Sequence, residues 1–182
     1  MKNYYYKFNS GIKLDHDMIK FQGANNFNFL SGEGSIHYSK ISNSIDLAKQ
    51  YFSKRIFGIE PHLIYYAEVE GPGFLEPHVD HGVSVVANFY FESNDAITTF
   101  FEPREGAEAV NYESAGLVQD SNIYRLNDLV PVANFQAQDG DSYLLDVSKI
   151  HAVYLTKPGY RRFINMQWYG VDIDTVYASI LK

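Results

Sequence analysis

The chain has 182 residues, enough for one domain with a substantial core and short for two. Its 15 Tyr and 13 Phe tilt it toward pleated, half-buried surfaces. A formal charge of −7 argues against a broad phosphate-binding face, so no nucleic-acid partner is expected. There are no cysteines, which excludes disulfides and thiolate ligands and leaves His, Asp and Glu to hold any metal. That fits a reducing compartment, and a cytoplasmic location is the expectation. The first twenty residues lack an apolar core followed by a small-residue cleavage site, and no run of about 18 apolar residues exists. Neither a signal peptide nor a membrane span is expected.

In chain order, the first forty residues are rich in Asn, Gly and Tyr and read as short strands and turns. "SNSIDLAKQYFSKRIFG" (42–58) reads as a helix. Ser42 or Ser44 can cap it, and Ile45, Leu47, Ala48, Tyr51 and Phe52 share one face. Gly58 ends it. From Pro61 the chain reads as strands: "HLIYYAEVE" stops at the turn "GPG", "VSVVANFYFE" stops at "SND", and "AITTFFEP" follows. The polar stretch from Arg104 to about Asn127 has little periodicity and reads as an insertion that could serve as a lid. Then "VPVANF", "GDSYLLDV", "HAVYLT" and "YRRFINMQWYG" read as strands separated by Gln138-Asp139-Gly140-Asp141 and Lys157-Pro158-Gly159.

About eight short strands behind a helical segment predict a mainly β fold, a jelly roll or double-stranded β-helix, with an N-terminal α-helical support. One domain is expected over 1–182. Its parts would be a supporting segment (1–60), a jelly-roll core (61–171) with an insertion (102–128), and a C-terminal tail (172–182).

The chemistry concentrates in "FLEPHVDHG" (74–82). His78 and Asp80 are two apart, so in an extended chain they project to one side. His81 points elsewhere unless the strand has already turned, and reads as a supporting or surface residue. A third ligand must come from a distant strand, and His151 in "DVSKIHAVYLT" opens one. Two histidines and a carboxylate on a β-scaffold form the facial triad of non-haem iron, which leaves coordination positions open. "AVYLTKPGYRRF" then reads as a strand, a turn containing Gly159 and a return strand carrying Arg161 and Arg162. An inward arginine would be a poorly compensated buried charge unless an anion met it, and a guanidinium pairs with a carboxylate through two parallel hydrogen bonds. His16, His37 and His62 have no partner at metal spacing and read as surface or core-edge residues.

On "PHVD", on "HAVYLTKPGYRRF" and on "VVANFYFESNDAITTFFEP", the chain from about Leu63 to Trp168 resembles the Fe(II)- and 2-oxoglutarate-dependent dioxygenases, especially the prolyl-4-hydroxylase-like branch. The resemblance implies that His78, Asp80 and His151 bind Fe(II), and that Arg161 binds the far carboxylate of the cosubstrate 2-oxoglutarate. Tyr90 would contact that cosubstrate, with Asn88 on the same strand face; a one-residue shift in register would give Arg162 the role of Arg161. Where the family carries a double glycine, this chain has Asp95-Ala96, and its upstream tyrosine is matched loosely by Tyr65 or Tyr66. The implied reaction uses O2 to hydroxylate a C–H bond of a peptidyl or free amino-acid substrate, or of a small molecule, with release of succinate and CO2. No side chain is needed as a separate acid or base. The alternative is a non-enzymatic or cupin-like metal-binding jelly roll without 2-oxoglutarate.

Overall fold

The computed structural model describes residues 3–11, 25–28, 35–40, 56–111 and 122–180. Most of the helix expected over 42–58 lies outside them, and so does His16. Two long strands organise the rest: β4 (Leu63–Val79) and β11 (His151–Trp168), named in the chain-order series that starts with β1 (Tyr5–Phe8), β2 (Asn25–Asn28) and β3 (Ser35–Lys40). They pair antiparallel along nearly their whole length, His151 opposite His78 at one end and Gln167 opposite Leu63 at the other. Midway both bend, and each passes from one sheet into a second.

The far halves join β5 (Val85–Glu92), which pairs with β11 over Arg162–Trp168. Beyond β5 come β10 (Ser142–Asp146) and β1, and on the other flank β3 and β2. The near halves join β6 (Ile97–Pro103), paired with β11 over His151–Tyr154, and β6 in turn pairs with β9 (Leu129–Gln136). On the opposite edge β4 pairs with β8 (Asn122–Ile123), which pairs with β7 (Val110–Asn111). Two antiparallel sheets sharing two bent strands, closed face to face, make a double-stranded β-helix.

The bends correct the two turns expected at "GPG" and "KPG". Neither reverses the chain. They lie opposite each other, and the register slips between Leu155 and Gly159, which marks a bulge rather than a hairpin. A Cβ on Gly71 would sit 2.7 Å from the Lys157 carbonyl oxygen and 2.9 Å from Leu155 Cβ, so only glycine lets the two bends touch. Gly159 takes φ +126° there, a conformation open to glycine. Arg161 and Arg162 therefore continue β11 beyond a bend instead of opening a return strand.

Side-chain alternation sorts the interior. On β11, Val153, Leu155 and Phe163 join Ala67, Val69, Val86, Tyr90, Phe100, Phe135 and Tyr143 in the core between the sheets. Ile164, Met166 and Trp168 face the other way and pack with Ile56, Phe57, Phe89 and Leu144 under the short helix α1 (Ile173–Ala178). The "tail" thus contains a helix, N-capped by the Asp172 carboxylate accepting from the Thr175 amide. At the seam between sheets, Tyr5 packs against Phe100 and Phe135 and donates its hydroxyl to the Asn134 carbonyl, 2.8 Å away.

The β5–β6 connection explains the missing double glycine. Asn94 and Asp95 have φ +51° and +53°, and the Ala96 amide donates to the Ser93 carbonyl at 3.1 Å. This is a two-residue turn that carries the chain from β5 in one sheet to β6 in the other; it needs left-handed backbone twice, and Asn and Asp tolerate that best after glycine. The demanding positions are 94 and 95, one earlier than Asp95-Ala96. Among the described residues no helix is long and apolar enough to cross a membrane.

Candidate metal centre

His78 is the penultimate residue of β4 and His151 the first of β11, so their pairing sets the rings side by side, centroids 4.4 Å apart. The register gains an extra residue on β4 between Leu75 and His78, a bulge at Glu76-Pro77. That bulge keeps Leu75 in the inner core, Phe74 and Val79 on the outer cluster and His78 pointing inward. Asp80 follows the strand, its amide donating to the Val147 carbonyl at 3.2 Å. Its carboxylate Oδ1 lies 3.2 Å from His78 Nε2 and 4.0 Å from His151 Nε2. One ligand atom from each of the three residues falls within 4.8 Å of the others.

Both imidazoles are held in the tautomer a metal requires. His78 Nδ1 bonds the Glu76 carbonyl at 2.7 Å, and His151 Nδ1 bonds the Lys149 carbonyl at 3.0 Å. A carbonyl only accepts, so each Nδ1 carries the hydrogen and each Nε2 is the nitrogen turned toward Asp80, the one left to bind a metal when it holds no proton. Burial pulls the His78 pKa down, but the Asp80 carboxylate outweighs it and the net direction is up. For Asp80, burial raises and His78 with His151 lower more strongly, which holds the carboxylate ionised. Burial and the neighbouring His78 push His151 down to about 4, so at neutral pH it is an uncharged donor.

The donor set fits a divalent cation. Bonds of about 2.1 Å at right angles put ligand atoms roughly 3 Å apart; the His78–Asp80 pair has that spacing at 3.2 Å and the His151–Asp80 pair is wider at 4.0 Å, and two histidines with a carboxylate are the set of non-haem iron.

Arg161 lies further along β11 and is 3 % exposed. Its Nη2 donates to the Tyr90 hydroxyl at 2.6 Å and to Thr98 Oγ1 at 3.2 Å. The guanidinium also lies against the Tyr90 and Phe163 rings, 4.8 and 5.2 Å from their centroids. Its Nε–H has no partner, and among the described residues no carboxylate forms an ion pair with it. The charge is close enough to the His78–Asp80–His151 cluster to help lower the His151 pKa. Tyr90 accepts a second bond from Asn88 Nδ2 at 3.1 Å, which occupies both hydroxyl lone pairs and leaves its proton to donate elsewhere. Asn88 Oδ1 accepts in turn from Asn165 Nδ2 at 2.7 Å.

Arg162 faces the opposite side. It pairs with Glu68 at 3.2 Å and Glu92 at 2.6 Å, with its charge satisfied. His81 is exposed, and His62 stacks on Tyr169 at the surface. Tyr66 is buried and donates to Glu68 on the Arg162 side. Sequence reasoning missed Thr98, whose only signal is its place one strand period before Phe100. It also missed the two carbonyls that orient the histidines, because backbone groups leave no residue-type trace.

No family model and no curated protein matches the chain. Solved structures do. HygX from Streptomyces hygroscopicus, determined with nickel and 2-oxoglutarate bound, is 10% identical at a TM-score of 0.53, covering 91% of this chain and 82% of that one. E. coli ycfD is 8% identical at 0.51; the match covers 96% of this chain, which spans about half of that protein (52%). A 2OG-Fe(II) oxygenase family oxidoreductase from Burkholderia pseudomallei is 9% identical at 0.49, covering 81% and 73%. The chain thus shares the double-stranded β-helix of HygX and ycfD, a likeness of fold.

Proposed function

We propose that the protein is an Fe(II)- and 2-oxoglutarate-dependent dioxygenase that hydroxylates a C–H bond of a peptidyl or free amino-acid substrate. The observation that carries this reading is the pairing of two features inside one barrel. One is a His78–Asp80–His151 donor set with both Nε2 atoms turned toward the Asp80 carboxylate. The other is a buried Arg161 with an unpartnered Nε–H and no acid beside it. HygX, which shares the fold, binds nickel and 2-oxoglutarate.

Fe(II) with 2-oxoglutarate and O2 would supply the oxidising power, coupling decarboxylation of the keto acid to succinate and CO2 with insertion of oxygen into the substrate. The chain's residues position and select. His78, Asp80 and His151 would hold the ion by one side and leave the other open. Arg161 would take the distal carboxylate, offering a planar fork that Lys could not reproduce, and Tyr90 would add a hydroxyl donor. The Tyr90 and Phe163 rings against the guanidinium would keep water from that carboxylate, which would strengthen the ion pair. The peptidyl or amino-acid substrate follows from the resemblance of "PHVD" and its downstream partners to the prolyl-4-hydroxylase-like branch.

Anaerobic titration tests the reading. Adding 2-oxoglutarate to Fe(II)-loaded protein is expected to raise a visible absorption band that neither component shows alone. Iron uptake without that band would instead mean a metal-binding jelly roll with no keto acid.

A further inference from the structure

The inserted segment returns to the metal centre. After β7, the chain re-enters as β8, whose Ile123 lies opposite His78 and whose Asn122 lies opposite Val79. One residue on, the Tyr124 amide donates to the Pro77 carbonyl at 2.8 Å. The ligand-bearing end of β4 is therefore flanked by β11 on one edge and by the insertion on the other.

We propose that this return strand positions the metal centre: the Tyr124 amide, acting through Pro77, sets the orientation of the His78 imidazole. The proposal rests on the reading of His78, Asp80 and His151 as metal ligands. Two consecutive carbonyls in the bulge are engaged on different partners. Glu76 accepts from the His78 ring, and Pro77 accepts from Tyr124. Each peptide group is a rigid plane, so only φ and ψ of Pro77 relate one carbonyl to the other. The proline ring locks that φ near −65°. Anchoring the Pro77 carbonyl thus leaves one soft torsion between Tyr124 and the acceptor that fixes His78. A bulge without a proline, or without the Tyr124 bond, would let the Glu76 carbonyl swing and the ring with it. Tyr124 also seats its side chain against Phe101, Leu129 and Ile150 beneath the second sheet, which gives the amide a firm base.

Co(II), which reports ligand geometry through its visible spectrum, is the probe. Tyr124→Pro removes the amide and is expected to weaken Co(II) binding about tenfold, the low end of losses for groups that orient a metal-ligating histidine, and to shift the spectrum. Tyr124→Phe keeps the amide and should leave both unchanged. Pro77→Ala frees the locked torsion and should weaken binding by a smaller factor. By linkage the effect runs both ways, so Co(II) should slow hydrogen exchange of the Tyr124 amide in unmodified protein. This measurement decides alone if the proline variant does not fold. A folded Tyr124→Pro with unchanged affinity and spectrum, or a Tyr124 amide indifferent to Co(II), overturns the proposal. Unmodified protein that takes up no Co(II) overturns the metal-centre reading itself.

Discussion

Replacing Asp80 with alanine is expected to abolish succinate formation and to weaken Fe(II) binding by more than the about 10- to 100-fold loss typical of groups that merely orient ligands. Asp80 is the one anionic member of the set, and its Oδ1 is the atom both imidazoles face, at 3.2 and 4.0 Å. Without it two neutral imidazoles remain, which leave the charge of the divalent ion with no anionic ligand. The fold should survive, because Asp80 lies beyond the end of β4 and the hydrogen bond its backbone amide donates to the Val147 carbonyl is kept. Metal content of the purified variant, measured beside its succinate release, checks this. A variant that retained full 2-oxoglutarate decarboxylation would mean that the wrong residues had been assigned.

Arg161→Ala should separate cosubstrate from metal: the 2-oxoglutarate requirement rises steeply while iron content stays nearly intact. Truncating one partner of a buried, hydrogen-bonded charge pair costs about 2–5 kcal/mol, which corresponds to roughly 30-fold to several-thousand-fold in dissociation constant. Arg161→Lys should recover only part of the loss, because an ammonium lacks the fork that matches a carboxylate. Arg161→Met sharpens the test. In ligand-free protein the wild-type guanidinium is a desolvated charge with an idle Nε–H, so the Met variant should melt at the same temperature or higher. Added 2-oxoglutarate should raise the melting temperature of the metal-loaded wild type only. A larger effect from Arg162→Ala on the 2-oxoglutarate requirement would contradict the assignment, since Arg162 already spends its charge on Glu68 and Glu92.

Most of the strands were legible because alternation and turn chemistry are local signals. "VSVVANFYFE" and "AITTFFEP" match β5 and β6 closely, and "SND" between them is a turn. The bends were not legible. Gly-Pro-Gly reads equally well as a hairpin turn or as a bulge, and what decides is the Lys157-Pro158-Gly159 segment packed against it from a distant part of the chain. The short C-terminal helix was missed although Asp172 and Thr175 stand at capping distance, because six residues are too few for helical periodicity to show. At the site, the i, i+2 spacing of His78 and Asp80 survives because both side chains leave the same face of an extended segment. Convergence of His151 with them depends on strand pairing, which spacing alone cannot supply. The two adjacent arginines could be separated only by knowing that the bulge at Gly159 leaves Arg161 inward and Arg162 outward.

A crystal structure with Mn(II) and 2-oxoglutarate, its metal located by anomalous scattering, shows whether His78, Asp80, His151 and Arg161 form one iron and keto-acid site. One strong peak is expected, bonded to His78 Nε2, Asp80 Oδ1 and His151 Nε2, with the distal carboxylate of the keto acid against the Arg161 guanidinium and the Tyr90 hydroxyl. A metal bound elsewhere, or a keto acid whose far end leaves Arg161 unpaired, would contradict this arrangement.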